Sequence, residues 1–200
     1  MPDITKTEQQ FDVIIIDGKN MTFKYFHGMS RLANSEGIPT GLFHGFLSMI
    51  LKYRIENPTA EIIVVWEGGN LIRKKLVEGY KEGRPQTTRI MADQMEELKD
   101  MLKALNIDQK FSPGYEADDV AATIVHRKLK LMAFREGNKK ILLITEDNDW
   151  LQMMKKNVFI RRKNKIVSCE KMQKELGFAP DRYVLHILLN YYILFILSFI

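Results

Sequence analysis

Three apolar runs of strand length each end in acid. Phe11-Asp12-Val13-Ile14-Ile15-Ile16 leads into Asp17-Gly18-Lys19-Asn20, Glu61-Ile62-Ile63-Val64-Val65-Trp66 into Glu67-Gly68-Gly69, and Lys140-Ile141-Leu142-Leu143-Ile144-Thr145 into Glu146-Asp147-Asn148-Asp149. Continuous apolar runs of this kind read as buried strands. Between them lie helical patterns: Leu42, Phe43, Phe46, Leu47, Ile50 and Leu51 after a candidate cap at Thr40, then Met91, Met95, Leu98, Met101, Leu102 and Leu105. Strands alternating with helices predict an α/β fold, a mostly parallel twisted sheet with helices on both faces. In such sheets ligands bind outside the carboxyl ends of the strands, the edge to which Asp17, Glu67, Asp147 and Asp149 are delivered.

A further acidic run, Glu116-Ala117-Asp118-Asp119, stands where the helical pattern Val120, Ala121, Ile124, Val125, Leu129 begins. Two readings compete for it. Acids in a first helical turn cap free N–H groups and face the positive end of the helix dipole. Alternatively they converge with the strand-end acids, and then a cation is required, because two carboxylates ~4 Å apart repel by about 4 kcal/mol at an effective dielectric near 20. Three strands ending in acid favour convergence. An all-oxygen donor set suits Mg²⁺, with Mn²⁺ as a plausible substitute, rather than zinc. His27, His44, His126 and His186 are scattered without metal-ligand spacing, and the single Cys169 fits a reducing compartment and gives no sign of nucleophilic catalysis.

The charge balance indicates what such a site acts upon. Thirty Lys and Arg against 25 Asp and Glu leave a formal charge of +5 over 200 residues, and the base is clustered. Arg73, Lys74, Lys75, Lys81, Arg84 and Arg89 crowd one stretch around the aromatic Tyr80, and Lys155, Lys156, Arg161, Arg162, Lys163 and Lys165 crowd another. An acidic pocket flanked by basic strips is the arrangement expected for a polyanion substrate, and an aromatic beside lysine can stack on a base. The second strip is equally readable as a solvated face.

Taken in order, Asp17-Gly18-Lys19-Asn20, Pro39-Thr40-Gly41 leading into Gly45-Phe46-Leu47, Tyr80-Lys81-Glu82-Gly83-Arg84, Gly114-Tyr115-Glu116-Ala117-Asp118-Asp119 and Thr145-Glu146-Asp147-Asn148-Asp149 form a known pattern. The chain resembles the structure-specific 5′-nucleases: the 5′-3′ exonuclease domain of bacterial DNA polymerase I and the related bacteriophage exonucleases and flap endonucleases. The resemblance implies that Asp17, Glu67, Glu116, Asp118, Asp119, Asp147 and Asp149 hold or orient Mg²⁺. It also implies that residues 70–90 form a helical arch in which Lys81 and Arg84 grip the scissile phosphate and Tyr80 stacks nearby, with Arg73, Lys74, Lys75 and Lys24 contributing to nucleic-acid binding. Glu67 departs from the family's usual Asp, and its extra methylene shifts the charge by ~1.5 Å.

The implied reaction is metal-assisted hydrolysis of DNA phosphodiesters at free or flapped 5′ ends, with RNA primers as further substrates in replication and repair. The implied setting is a monomer in the cytoplasm of a bacterial or phage-infected cell. Family members continue beyond a helix like 180–188 into G-D-x-S-D-N-I and a helix-turn-helix that grips duplex DNA. Here residues 189–200 are instead an apolar tail after the domain at 11–188 and the N-terminal tail at 1–10. The expectation is an interrupted gene, a second metal site left incomplete, and a separate C-terminal fragment to supply the rest. A membrane tail anchor is disfavoured by His186, Asn190 and the absence of Lys or Arg after the run. Two rival readings stay open: a nucleic-acid-binding remnant without catalysis, and a ribonuclease of the related PIN type.

Overall fold

The computed structural model describes residues 10–69, 75, 87–134 and 139–189. Strand β1 (Val13–Asp17) runs directly into α1 (Gly18–Gly28), which is followed by α2 (Gly41–Glu56) and β2 (Glu61–Val65). After α3 (Arg89–Ala104) come β3 (Asp108–Lys110), α4 (Ala117–Phe134), β4 (Ile141–Ile144) and a 3-10 helix (Asn148–Met153). The hairpin β5 (Val158–Arg162) and β6 (Lys165–Val167), α5 (Cys169–Leu176) and a 3-10 turn (Pro180–Arg182) follow, and residues 183–189 are helical. The six strands form one sheet in the order β3-β2-β1-β4-β5-β6, parallel except for β6.

The apolar runs are continuous because successive side chains of each central strand enter different cores. Ile14, Ile16, Ile62, Val64 and Trp66 pack with residues of α1, α2 and α3, whereas Val13, Ile15, Ile63 and Val65 pack with α4, the 3-10 helix and α5. Each such aliphatic side chain, fully buried, contributes about 1.5–3 kcal/mol. The expected α/β architecture with both faces covered is therefore present.

Three strands lie outside the long apolar runs. β3 is Asp-Gln-Lys and holds the sheet edge through its backbone and through Gln109, which accepts the Trp66 indole N–H at 2.8 Å and donates to the Lys99 carbonyl at 2.9 Å. The basic strip at 155–165 turns out to be largely the β5–β6 hairpin. Lys163 (φ 45°) and Asn164 (φ 62°) occupy its turn, the double left-handed conformation that hairpins favour. Thr40 does occupy the N-cap of α2, but its side chain makes no capping bond. Leu51, Met101 and Leu105, read as core-facing, are exposed.

Strand order places a switch point between β1 and β4, since the chain leaves β1 toward β2 and β3 on one side and returns as β4 on the other. The β1–β4 register pairs Ile16 with Ile144, so Asp17 and Thr145 lie level at the carboxyl edge. That crevice is where open α/β sheets bind ligands. Most of the expected arch, with Arg73, Lys74, Tyr80, Lys81 and Arg84, lies outside the described residues, as does the tail at 190–200. Among the described residues no helix is long and apolar enough to cross a membrane.

Candidate metal centre

Asp17 sits at the bottom of the crevice as the last residue of β1 and the N-cap of α1. Only 5% exposed, it accepts the Asn20 N–H at Oδ1 and the Thr145 hydroxyl at Oδ2, each at 3.0 Å. The turn that buries it requires a glycine next. A Cβ on Gly18 would lie 2.5 Å from the Trp66 ring. Burial pushes the Asp17 carboxyl up to about 6; its two hydrogen bonds work against this, and the charges of Asp147 and Glu67 add to it.

A second pair of strands brings in the next acids. Glu67 follows β2, and Gly68 is stapled to the loop after β3: its N–H donates to the Tyr115 carbonyl at 3.0 Å and its carbonyl accepts from Gly114 N–H at 2.8 Å. A Cβ on Gly68 would stand 1.8 Å from the Ser112 carbonyl oxygen, so the approach is possible only for glycine. This contact ties Glu67 to the turn that presents Glu116, which is 6% exposed.

The capping reading of the run at 116–119 finds support. Asp119 Oδ2 accepts the Glu116 N–H at 3.2 Å, a capping arrangement at the start of α4, and Asp118 Oδ1 accepts the Asp119 N–H at 2.8 Å. Asp118 and Asp119 also line a cavity of about 430 Å³ that runs along α4 past Val125 and Leu129 to Gln152 and Lys155, and none of the other five acids lines it. Asp147 Oδ1 accepts the Asp149 N–H at 3.0 Å, and both acids are exposed.

All seven acids stand at or follow the carboxyl ends of the parallel strands β1 to β4, and of them Asp147 and Glu67 act electrostatically on Asp17. Among the described residues no three His, Cys, Asp or Glu side chains stand where they could hold one metal ion. Two acids at this edge are paired with lysines. Lys19 Nζ holds Glu67 at 2.6 Å, and Lys24 Nζ holds Glu146 at 2.5 Å. Burial works to raise the Glu146 carboxyl, and the Lys24 ammonium and the Lys163 N–H outweigh it and keep the group below the usual range. Lys24, expected at phosphate, is thus engaged with an acid. Lys75 is exposed.

Three residues of the site escaped sequence reasoning. Thr145, fully buried, donates to Asp17 and accepts the Asp147 N–H at 3.0 Å. Its signal was a hydroxyl closing an otherwise apolar strand. Asn20 Oδ1 accepts the Glu146 N–H at 3.0 Å, which explains the asparagine of Asp17-Gly18-Lys19-Asn20. The Lys19–Glu67 pair had no signal, because the two residues are 48 apart in sequence.

The donor set still fits a hard divalent cation. Every candidate atom is a carboxylate oxygen, and a buried Asp17 pressed by two further negative charges is a group for which a cation would relieve the strain.

Comparison with known proteins agrees. A family model described as 5′-3′ exonuclease, N-terminal resolvase-like domain matches residues 12–177. A 5′-3′ exonuclease of Buchnera aphidicola is 28% identical over 86% of this chain and 59% of its own length. A DNA polymerase I of Caldicellulosiruptor bescii is 32% identical over 74% of this chain and 17% of its own. Bacteriophage T5 flap endonuclease, solved in a pseudo-enzyme–product complex with DNA and metal ions, shares the fold with a TM-score of 0.62 and 20% identity, over 88% of this chain and 64% of that one. The chain thus spans about three fifths of the curated exonuclease it matches.

Proposed function

The chain belongs to the 5′-3′ exonuclease family through its N-terminal, resolvase-like domain, and from that membership we propose that it hydrolyses DNA phosphodiesters at free or flapped 5′ ends with the help of Mg²⁺. The observation that carries this reading is Asp17: a buried carboxyl at the switch point of the sheet, raised by burial and by the two neighbouring acids Asp147 and Glu67.

Asp17, Glu116 and Asp118 are the inner ligands in this proposal, with Asp147 and Asp149 facing them across the crevice and Glu67 and Asp119 in support. Mn²⁺ would serve in place of Mg²⁺. A cation bound there supplies a water of lowered pKa and charge neutralisation at the phosphoryl oxygens. The protein's own contribution is placement. Thr145 and Asn20 fix the angle between β1 and the loop after β4, so the Asp17 oxygens keep their direction. Lys81 and Arg84 receive the scissile phosphate, Tyr80 stacks beside it, and Arg73, Lys74 and Lys75 attract the strand. Lys24 exchanges Glu146 for a phosphate oxygen when substrate arrives. Primer removal during replication is the role these assignments suit, with RNA at the 5′ end among the substrates.

A second reading has one observation in its favour. The acids are not within ligating distance of a common point, as a nucleic-acid-binding remnant would also show. Cleavage of an end-labelled 5′-flap duplex in Mg²⁺ separates the two. Turnover that Asp118→Ala abolishes supports the enzyme; flap binding with no cleavage in Mg²⁺ or Mn²⁺ supports the remnant.

A further inference from the structure

Along α4, adjoining the 430 Å³ cavity at Asp119 and Ala122, lies a groove of about 620 Å³, within the range of small-ligand sites. Val120 and Ile124 of α4 line it along with Phe111 and Tyr115, and Lys110 and Arg127 also stand on it. The two aromatics are far out of the core, Phe111 64% and Tyr115 45% exposed. Their backbone is held firmly all the same. The Lys110 carbonyl accepts the Trp66 N–H at 2.8 Å, the Tyr115 N–H donates to Ser112, and the Tyr115 carbonyl accepts from Gly68. Rigid loops carrying exposed aromatic faces are costly to keep in water and well suited to stacking.

We propose that this groove stacks unpaired nucleobases of the substrate strand as it enters or leaves the acidic centre. The reading rests on the nuclease function proposed above. Four features specify the occupant. Two aromatic faces suit any base, since every base has a π-face. Arg127 and Lys110, the latter paired with Asp108 at 2.7 Å, supply positive charge for the flanking phosphates. Asp119 on the groove wall disfavours a phosphate there and leaves that end to an uncharged base. Asp119 lines the 430 Å³ cavity as well and follows Asp118 directly, so the groove begins at the first turn of α4, where the acidic run stands.

The test measures binding of a fluorescent duplex with a 5′ oligothymidine flap, in Ca²⁺ to suppress turnover, against the same duplex with an abasic flap. The native protein should prefer the thymidine flap by about 5- to 100-fold, the range for one or more stacked bases. Phe111→Ala and Tyr115→Ala should remove that preference while leaving affinity for the abasic flap and the melting temperature unchanged. Phe111→Leu and Tyr115→Leu, which keep apolar bulk, should behave like the alanine variants. Equal native affinity for the two flaps, or leucine variants that retain the preference, would overturn the proposal while DNA binding itself left the nuclease reading intact. Loss of all DNA binding by the native protein would instead remove the nuclease reading. Self-association by sedimentation that Phe111→Ala abolishes would overturn the proposal in favour of a second copy of the chain.

Discussion

The Thr145 hydroxyl donates to Asp17 Oδ2 at 3.0 Å while accepting the Asp147 N–H, so one buried oxygen links the ends of β1 and β4. Thr145→Val keeps the shape and removes both bonds. It should cost about 1–3 kcal/mol in urea unfolding, the usual penalty for leaving buried polar groups unpaired. Thr145→Ser should recover most of that loss; a valine variant as stable as the native chain would show the link to be idle.

Asp17 makes the cation-free protein pH-sensitive. Its carboxyl titrates at about 6 when folded and near 3.8 when unfolded, so the folded state binds the proton more tightly. The contribution is fully present below about 3.8 and is lost as pH rises through about 6, a change of roughly 3 kcal/mol at 1.36 kcal/mol per unit. Asp17→Asn, which keeps a capping side chain, should erase this part of the profile and make the cation-free protein more stable than native at pH 8. Unfolding curves of both chains at pH 4 and pH 8 in EDTA supply the comparison. Parallel profiles would contradict the assignment.

Adding Mg²⁺ at pH 8 should reverse that ranking. The native chain gains about 2.7 kcal/mol at one hundred times the dissociation constant, and Asp17→Asn gains little. Melting temperatures across a Mg²⁺ titration measure it. Equal shifts for both proteins would move the cation elsewhere.

Lys24 tests which role an ion pair plays. Its bond to Glu146 is about one-third exposed, so Lys24→Met should change stability by no more than about 1 kcal/mol. If Lys24 moves to phosphate, DNA affinity should fall across all sequences and the salt dependence should weaken by about one phosphate contact. An unchanged salt slope would confine Lys24 to its acid.

Gly68→Ala should disturb the site from a distance. The new Cβ would overlap the Ser112 carbonyl at 1.8 Å and force the two loops apart, at about 1–3 kcal/mol. Because the same contact ties the residue after Glu67 to the turn before Glu116, the Mg²⁺-induced rise in melting temperature should shrink as well. A variant that melts lower but responds fully to Mg²⁺ would uncouple the staple from the site.

What the sequence disclosed followed burial. β1, β2 and β4 are covered on both faces, so Ile14 and Ile15 are apolar alike and the run stands out. β3 lies at an edge and is held by backbone bonds and Gln109, so nothing in Asp108-Gln109-Lys110 announces a strand. The acids at 17, 67, 116–119, 147 and 149 were legible because strand ends deliver them to one edge. Their partners were not. Thr145, Asn20 and Lys19 act across gaps of 128, 126 and 48 residues, and no local pattern encodes such pairings.

The central strand has a consequence for synthesis. β1 is among the first segments made, yet one of its two neighbours is β4, paired from Val13↔Ile141 onward. At ~5–20 residues per second a ribosome needs on the order of ten seconds between them. Until then Asp17 has no Thr145, one flank of β1 is bare, and Asp147 and Asp149 do not exist. The carboxyl edge is therefore closed late in synthesis, when the fourth strand slots in beside the first.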